Sequence, residues 1–246
     1  MGHRRETRAR RERGSGYTRR VTADQLGLAA YDLSRVGLFP LPNVVLFPEQ
    51  NLSLHVFEPR YRKLVSDVLE QGLPLAVPRL EPGFDADYYG APPLFPICGV
   101  GQITEYSRLP DGRYNIVVLG LGRARIVEEL RSEPYRVARI EPVADRATTD
   151  ALTAELLRTK LLELFRRAAP HLPGAAKELE SRLRTADTPA RCADVLAGAL
   201  IEDADERQRL LEELDPSRRL TSLIAFVHEL ASRLPGARGP APEHLN

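Results

Sequence analysis

The apolar pattern of this chain changes period twice, and each change marks a change of structure. Residues 36–41 and 44–47 are short apolar blocks, split by Pro40, Pro42 and Asn43 and stopped by Pro48. Residues 52–57 then alternate, with Leu52, Leu54 and Val56 on one side and Ser53 and His55 on the other. That two-residue period predicts a half-buried strand. From Pro59 the period lengthens. Tyr61, Leu64, Val65, Val68 and Leu69 recur at the spacing of one helix face. Pro59 suits the first helical position, where its missing N–H has no partner to lose. Gly72 suits the stop, so the spacing predicts a helix over 59–71.

Strand signals resume at 73–80, 97–109, 113–121, 124–130 and 135–143. Asp111-Gly112 is a hairpin turn signal, because Gly accepts the positive φ of tight turns. Gly120 and Gly122 mark a bend or bulge. Many short strands around one helix predict a compact, partly closed barrel over 36–145. The second change of period comes near Thr148. Leu152, Leu156, Leu157, Leu164 and Phe165 fall at helical spacing. Thr188-Pro189 and Asp215-Pro216 open two further helices, and Asp203 with Glu206 gives a capping-box-like start to another. A helical bundle is expected over 146–235, followed by a loose Pro/Gly-rich tail over 236–246. The whole is α+β.

Charge adds a tail to this outline. Residues 1–20 hold eight arginines against two glutamates, a net +6, which leaves −5 for residues 21–246. A like-charged stretch without apolar residues does not fold, so residues 1–35 are expected as a basic disordered tail with at most a short helix near 23–33. A folded nucleic-acid binder carries its basic face on the body, which here is acidic. The tail itself suits weak contact with nucleic acid or anionic lipid. No apolar run approaches a membrane span. The first twenty residues have no apolar core of a signal peptide. Cys98 and Cys192 form no disulfide framework, and a cytoplasmic location is expected.

Candidate chemistry is sparse. Glu58, Pro59, Arg60 and Tyr61 read either as a catalytic cluster or as a strand-to-helix junction. No nucleophile–base pair lies nearby to complete a mechanism, so the junction is the reading adopted, with Glu58 capping the first turn and Arg60 ion-paired. Arg123 and Arg125 read as carboxylate partners or a solvated face. The five histidines have no metal-ligand spacing, so neither a metal nor a cofactor is expected. Both cysteines read as small buried hydrophobes. The loop 81–96 carries Phe84, Tyr88, Tyr89 and Phe95. These rings either close the open end of the barrel as core or line a groove for apolar segments of other proteins. In the second case Tyr88, Tyr89 and Phe95 are the candidate peptide-binding residues. An extended peptide could also add to an exposed barrel edge.

Five stretches in order carry a resemblance: PLPNVVLFP (40–48), LHVFEPRYRKLV (54–65), VGQITE (100–105), DGRYNIVVLGLGRARI (111–126) and PYRVARIEPV (134–143). They resemble the N-terminal substrate-binding domain of Lon proteases, and DERQRLLEELDPSRRLTSLIAFVHEL (205–230) is similar to that domain's helical end. Ser53 stands where the family commonly has Pro. The resemblance implies a PUA-like β-barrel backed by a helical bundle. It also implies recognition of unfolded or degron-bearing polypeptides, or docking to a protease or adaptor partner; a similar domain serves within a ligase receptor. Full Lon proteases continue into ATPase and Ser-Lys protease domains, but this sequence has no GxxxxGK(S/T) phosphate loop. A stand-alone, non-enzymatic module is therefore the expectation. RNA binding is the alternative, because PUA-like barrels elsewhere bind RNA.

Overall fold

The computed structural model describes residues 17–18, 27–87, 90–146, 150–171 and 176–233. Seven strands form one sheet: β1 (Tyr17–Thr18), β2 (Val36–Leu38), β3 (Asn51–Val56), β4 (Leu75–Val77), β5 (Ile97–Arg108), β6 (Tyr114–Leu130) and β7 (Val137–Val143). Their order is β1-β5-β4-β2-β7-β6-β3, and β5 also pairs with β6. That extra pairing closes β5, β4, β2, β7 and β6 into a ring. β3 lies outside the ring against residues 114–119 of β6, and β7 covers residues 123–130 of the same strand.

Local chemistry explains the one helix that interrupts the strands. α1 (Pro59–Gln71) starts with Pro59 in its first turn and ends at Gly72, whose φ of 67° is the left-handed stop that favours glycine. Tyr61, Leu64, Val65 and Val68 are its buried face. They pack with Phe39, Leu46, Leu75, Ile103 and Val118 in the core of the sheet lobe. Glu58 differs from expectation. It gives α1 no side-chain cap. Its carboxylate accepts instead from Arg60 Nε at 3.0 Å, so the ion pair replaces the cap. The hairpin turn forms at Gly112, with φ 81° and its N–H on Leu109 O at 2.9 Å.

The second lobe holds α2 (Ala151–Ala168), α3 (Ala176–Thr185), α4 (Pro189–Leu200), α5 (Ala204–Glu212) and α6 (Pro216–Arg233). Thr188 and Asp203 cap α4 and α5 through their side chains. α3 has no counterpart in the sequence reading. In α2 the buried stripe is Ala154, Leu161, Phe165 and Ala168. Leu152 and Leu156 share its general spacing but are 71% and 62% exposed, because they lie off the face that buries Ala154.

Two further differences concern the sheet. Residues 44–47 form no strand, although Val45, Leu46 and Phe47 are almost wholly buried. They lie flat on β5 and β6. A Cβ at Gly99 would meet Leu46 O at 2.0 Å, and one at Gly120 would meet Phe47 O at 2.0 Å. The stretches 113–121 and 124–130 also join as one strand, β6, and the bulge expected at Gly120 and Gly122 lies within it: Val100 pairs with Gly122 and Gly101 with Gly120, which leaves Leu121 as the extra residue. Within the stretch expected as a tail, Tyr17–Thr18 pairs with β5 and Leu28 is buried among Val100, Ala124 and Ile140.

Arginines hold the lobes together. Arg123 of β6 grips Asp194 of α4 through two bonds of 2.9 and 2.5 Å, and its Nε donates to Leu211 O at 2.9 Å. Arg219 of α6 lies 3.4 Å from the same Asp194 and bonds Asp145 at 2.5 Å. Arg207 of α5 donates to Val45 O at 2.7 Å and Gln50 Oε1 at 3.0 Å, with its guanidinium over the Phe47 ring.

Candidate functional site

β3 ends the order of the sheet, and its outer edge is unpaired among the described residues. Gly120 N donates to Gln50 O at 2.9 Å, which fixes the phase of the ladder. Its bonds fall at Leu52, Leu54 and Val56, opposite Val118, Ile116 and Tyr114. The backbone N–H and C=O groups of Asn51, Ser53 and His55 therefore point away from β6. Among the described residues no strand pairs with that side. The side chains of these same three residues are exposed.

Side chains frame the far end of this edge. His55 Nδ1 lies 2.7 Å from Asn115 Oδ1, and Arg113 reaches the other ring nitrogen at 3.3 Å. The Phe57 ring stacks on His55 with centroids 6.4 Å apart and is 61% exposed. The start of β3 is held by the helical lobe. Glu49, with a left-handed φ of 61°, bonds Arg191 of α4 through both carboxylate oxygens, and its carbonyl accepts from Arg182 of α3. A strand anchored at one end, with three outward residues and an aromatic ring at the other, can accept an extended chain as an additional strand.

The sequence-derived residues are distributed differently. Tyr88 and Tyr89 lie outside the described residues. Phe95 is half-buried, with its ring 5.1 Å from the Arg79 guanidinium. Arg79 itself bonds Asp205, Pro42 O and Ala204 O, so Phe95 sits beside a lobe-to-lobe contact. Glu58, Pro59, Arg60 and Tyr61 lie at the strand-to-helix junction, where Tyr61 stacks on Phe39 at 4.4 Å. Arg125 is exposed, whereas Arg123 is buried against Asp194. Sequence reasoning missed Phe57. The signal was its odd position, which puts a large apolar ring on the polar side of the alternation together with Ser53 and His55.

A second opening of about 380 Å³ lies between α1 and the β2–β7 edge, lined by Leu64, Asp67, Val68, Gln71 and Tyr135 among others. Tyr135 donates to Asp67 Oδ2 at 2.8 Å and Lys63 donates to Oδ1. Burial alone would raise the Asp67 pKa, but these two donors hold it below the usual value. Burial and the facing carboxylate push the Tyr135 phenol up to about 12. Asp67 is thus already saturated and has little left to offer a ligand. Burial raises the Cys98 and Cys192 thiols to about 12 and about 11, which suits core packing. Among the described residues no group of His, Cys, Asp and Glu could hold a metal ion. No described helix is long and apolar enough to cross a membrane.

Solved structures define the class of fold. The Lon N-terminal domain protein from Xanthomonas campestris superposes with a TM-score of 0.55 at 26% identity, covering 78% of this chain and 98% of that one. The N-terminal domain of Mycobacterium avium complex Lon protease gives a TM-score of 0.62, covering 80% and 99%; at 17% identity this is a likeness of fold alone. The family model described as the ATP-dependent protease La (LON) substrate-binding domain matches residues 35–229, and the chain belongs to that family. Among curated relatives, Lon protease of Trichlorobacter lovleyi is 30% identical over 198 residues and Lon protease of Anaeromyxobacter dehalogenans 28% over 194. These matches take in 79% and 78% of this chain but only 24% and 22% of the relatives. The chain spans about a quarter of the length of the curated relatives it matches.

Proposed function

We propose that this protein is a non-catalytic polypeptide-recognition module. It takes extended segments of unfolded or degron-bearing proteins, or of a protease or adaptor partner, along the outer edge of β3. The observation that carries the reading is that edge: Asn51, Ser53 and His55 turn their backbone groups outward from a strand of a Lon substrate-binding domain. Backbone pairing asks little of the client's sequence, as recognition of unfolded chains requires. Phe57 adds an apolar contact. The RNA alternative is disfavoured by the net −5 of residues 21–246, and five arginines of the body, Arg79, Arg123, Arg136, Arg191 and Arg219, are engaged by carboxylates.

The test compares the affinity of the full chain for a permanently unfolded, carboxymethylated protein and for its native form. The variant is Ser53→Pro, which deletes an outward N–H and leaves the β6 ladder intact. Preference for the unfolded form, weakened about tenfold or more by Ser53→Pro, supports the edge. Unchanged binding in Ser53→Pro together with loss in a Tyr88→Ala/Tyr89→Ala/Phe95→Ala variant would move the site to the 81–96 loop. No preference for the unfolded form would overturn the proposal.

A further inference from the structure

A groove of about 620 Å³ lies between α2 and α3. Its floor is Leu162, Phe165 and Leu183, of which Phe165 and Leu183 are almost fully buried beneath it. Its rim carries Arg158, Arg166 and Arg184 against a single carboxylate, Glu180. Two of these cations are poorly neutralised. Arg166 has no ion-pair partner among the described residues. Arg184 approaches Glu180 only to 4.0 Å, with the arginine side chain 80% exposed, a pair worth little in water. Arg158 is already paired with Glu155 and donates to Ala186 O, so it fixes the rim while Arg166 and Arg184 supply its available charge.

We infer that this groove receives an acidic segment of a protein partner, one that places a bulky apolar side chain on the Leu162–Phe165–Leu183 floor and carboxylates on the arginine rim. Charge complementarity fixes the choice of occupant: a basic segment would face three arginines, and a polar neutral one would leave the apolar floor uncovered. The β3 edge pairs with backbone and is indifferent to sequence, whereas this groove selects by charge and by one anchoring residue. The two sites together would let a client be held generally by one and chosen by the other.

The probe is a fluorescein-labelled peptide with the core Glu-Glu-Leu-Phe-Glu-Glu, titrated with the full chain by fluorescence anisotropy. Two twins accompany it, one with Lys for every Glu and one with Ser for Leu and Phe. Saturable binding of the acidic apolar peptide is expected, with both twins about tenfold weaker or more. Arg166→Glu/Arg184→Glu lowers the affinity about tenfold or more, and Arg166→Lys/Arg184→Lys restores most of it. Both variants sit on exposed positions and are checked for wild-type thermal unfolding. Absence of saturation, equal binding of the Lys twin, or an affinity untouched by Arg166→Glu/Arg184→Glu overturns the inference; the last result would assign the peptide to the basic residues 1–20. Ser53→Pro leaves this binding unchanged, so failure of the edge and failure of the groove are read separately.

Discussion

Asp194→Ala should be among the most damaging single substitutions in this protein. The carboxylate is buried, with a side chain 6% exposed, and it faces Arg123 and Arg219, whose side chains are 4% and 0% exposed. With Asp194 present, two guanidinium groups meet two carboxylates. Without it, only Asp145 remains, 2.5 Å from Arg219 and 3.8 Å from Arg123. One buried positive charge is then uncompensated, and the two bonds from Arg123 are lost. Removing one partner of a buried ion pair costs about 3–5 kcal/mol, because the other charge stays desolvated. With a urea m-value of about 2–3 kcal/mol/M, the unfolding midpoint should fall by about 1–2 M. Asp111→Ala is the control, since its pair with Arg113 is about half exposed and screened by water. Equal midpoints for the two variants, or a loss below about 1 kcal/mol in Asp194→Ala, would refute the idea that the lobes depend on this cluster.

Other outcomes follow from the same geometry. Asp67 has a pKa lowered in the fold by Lys63 and Tyr135 against the effect of burial, so its contribution is present above the ordinary carboxylate pKa and is lost as pH falls through the lowered value. Asp67→Asn should therefore destabilise at neutral pH and lose that effect below about pH 4, as measured by urea midpoints across pH. With thiols near 12 and 11, Cys98 and Cys192 should not react with a disulfide reagent at neutral pH until the chain is unfolded, whereupon both should titrate. Gly120→Ala should cost about 1–3 kcal/mol or more, since its Cβ would meet Phe47 O, a backbone atom that cannot rotate away. Gly122→Ala, which meets only the Leu28 side chain at 3.3 Å, should be far milder; thermal unfolding of the pair decides.

Features set by neighbours in sequence were legible, and features set by distant partners were not. Pro59 and Gly72 delimit α1 through backbone chemistry alone, and its bounds are those expected from the periodicity. Thr188 and Asp203 announce α4 and α5 in the same way. α3 escaped because, among its described side chains, only Leu179 and Leu183 are buried in a decapeptide that is otherwise largely charged. The apolar run 44–47 looks like a strand because burial, whatever its cause, demands apolar residues. Only the sheet beneath it and the helices above reveal a loop. Arg123 and Asp194 are separated by 71 positions, and nothing local pairs them. The β3 edge was anticipated only as some open edge of the barrel, because which strand ends a sheet depends on the pairing of all the others.

That same loop has a consequence for how the protein can be divided. Leu46 belongs to the core of the sheet lobe, whereas Val45 and Phe47 belong to the core of the helices. Three consecutive residues thus serve as a wall common to two rooms. A graft that carried residues 36–145 into another protein would bring along two bare apolar side chains and the carbonyl of Val45 stripped of Arg207. A graft of the helices alone would arrive with a hole where Phe47 had been. Recombination between relatives should accordingly select against a junction near residue 146. The two lobes should therefore be exchanged only as a single piece.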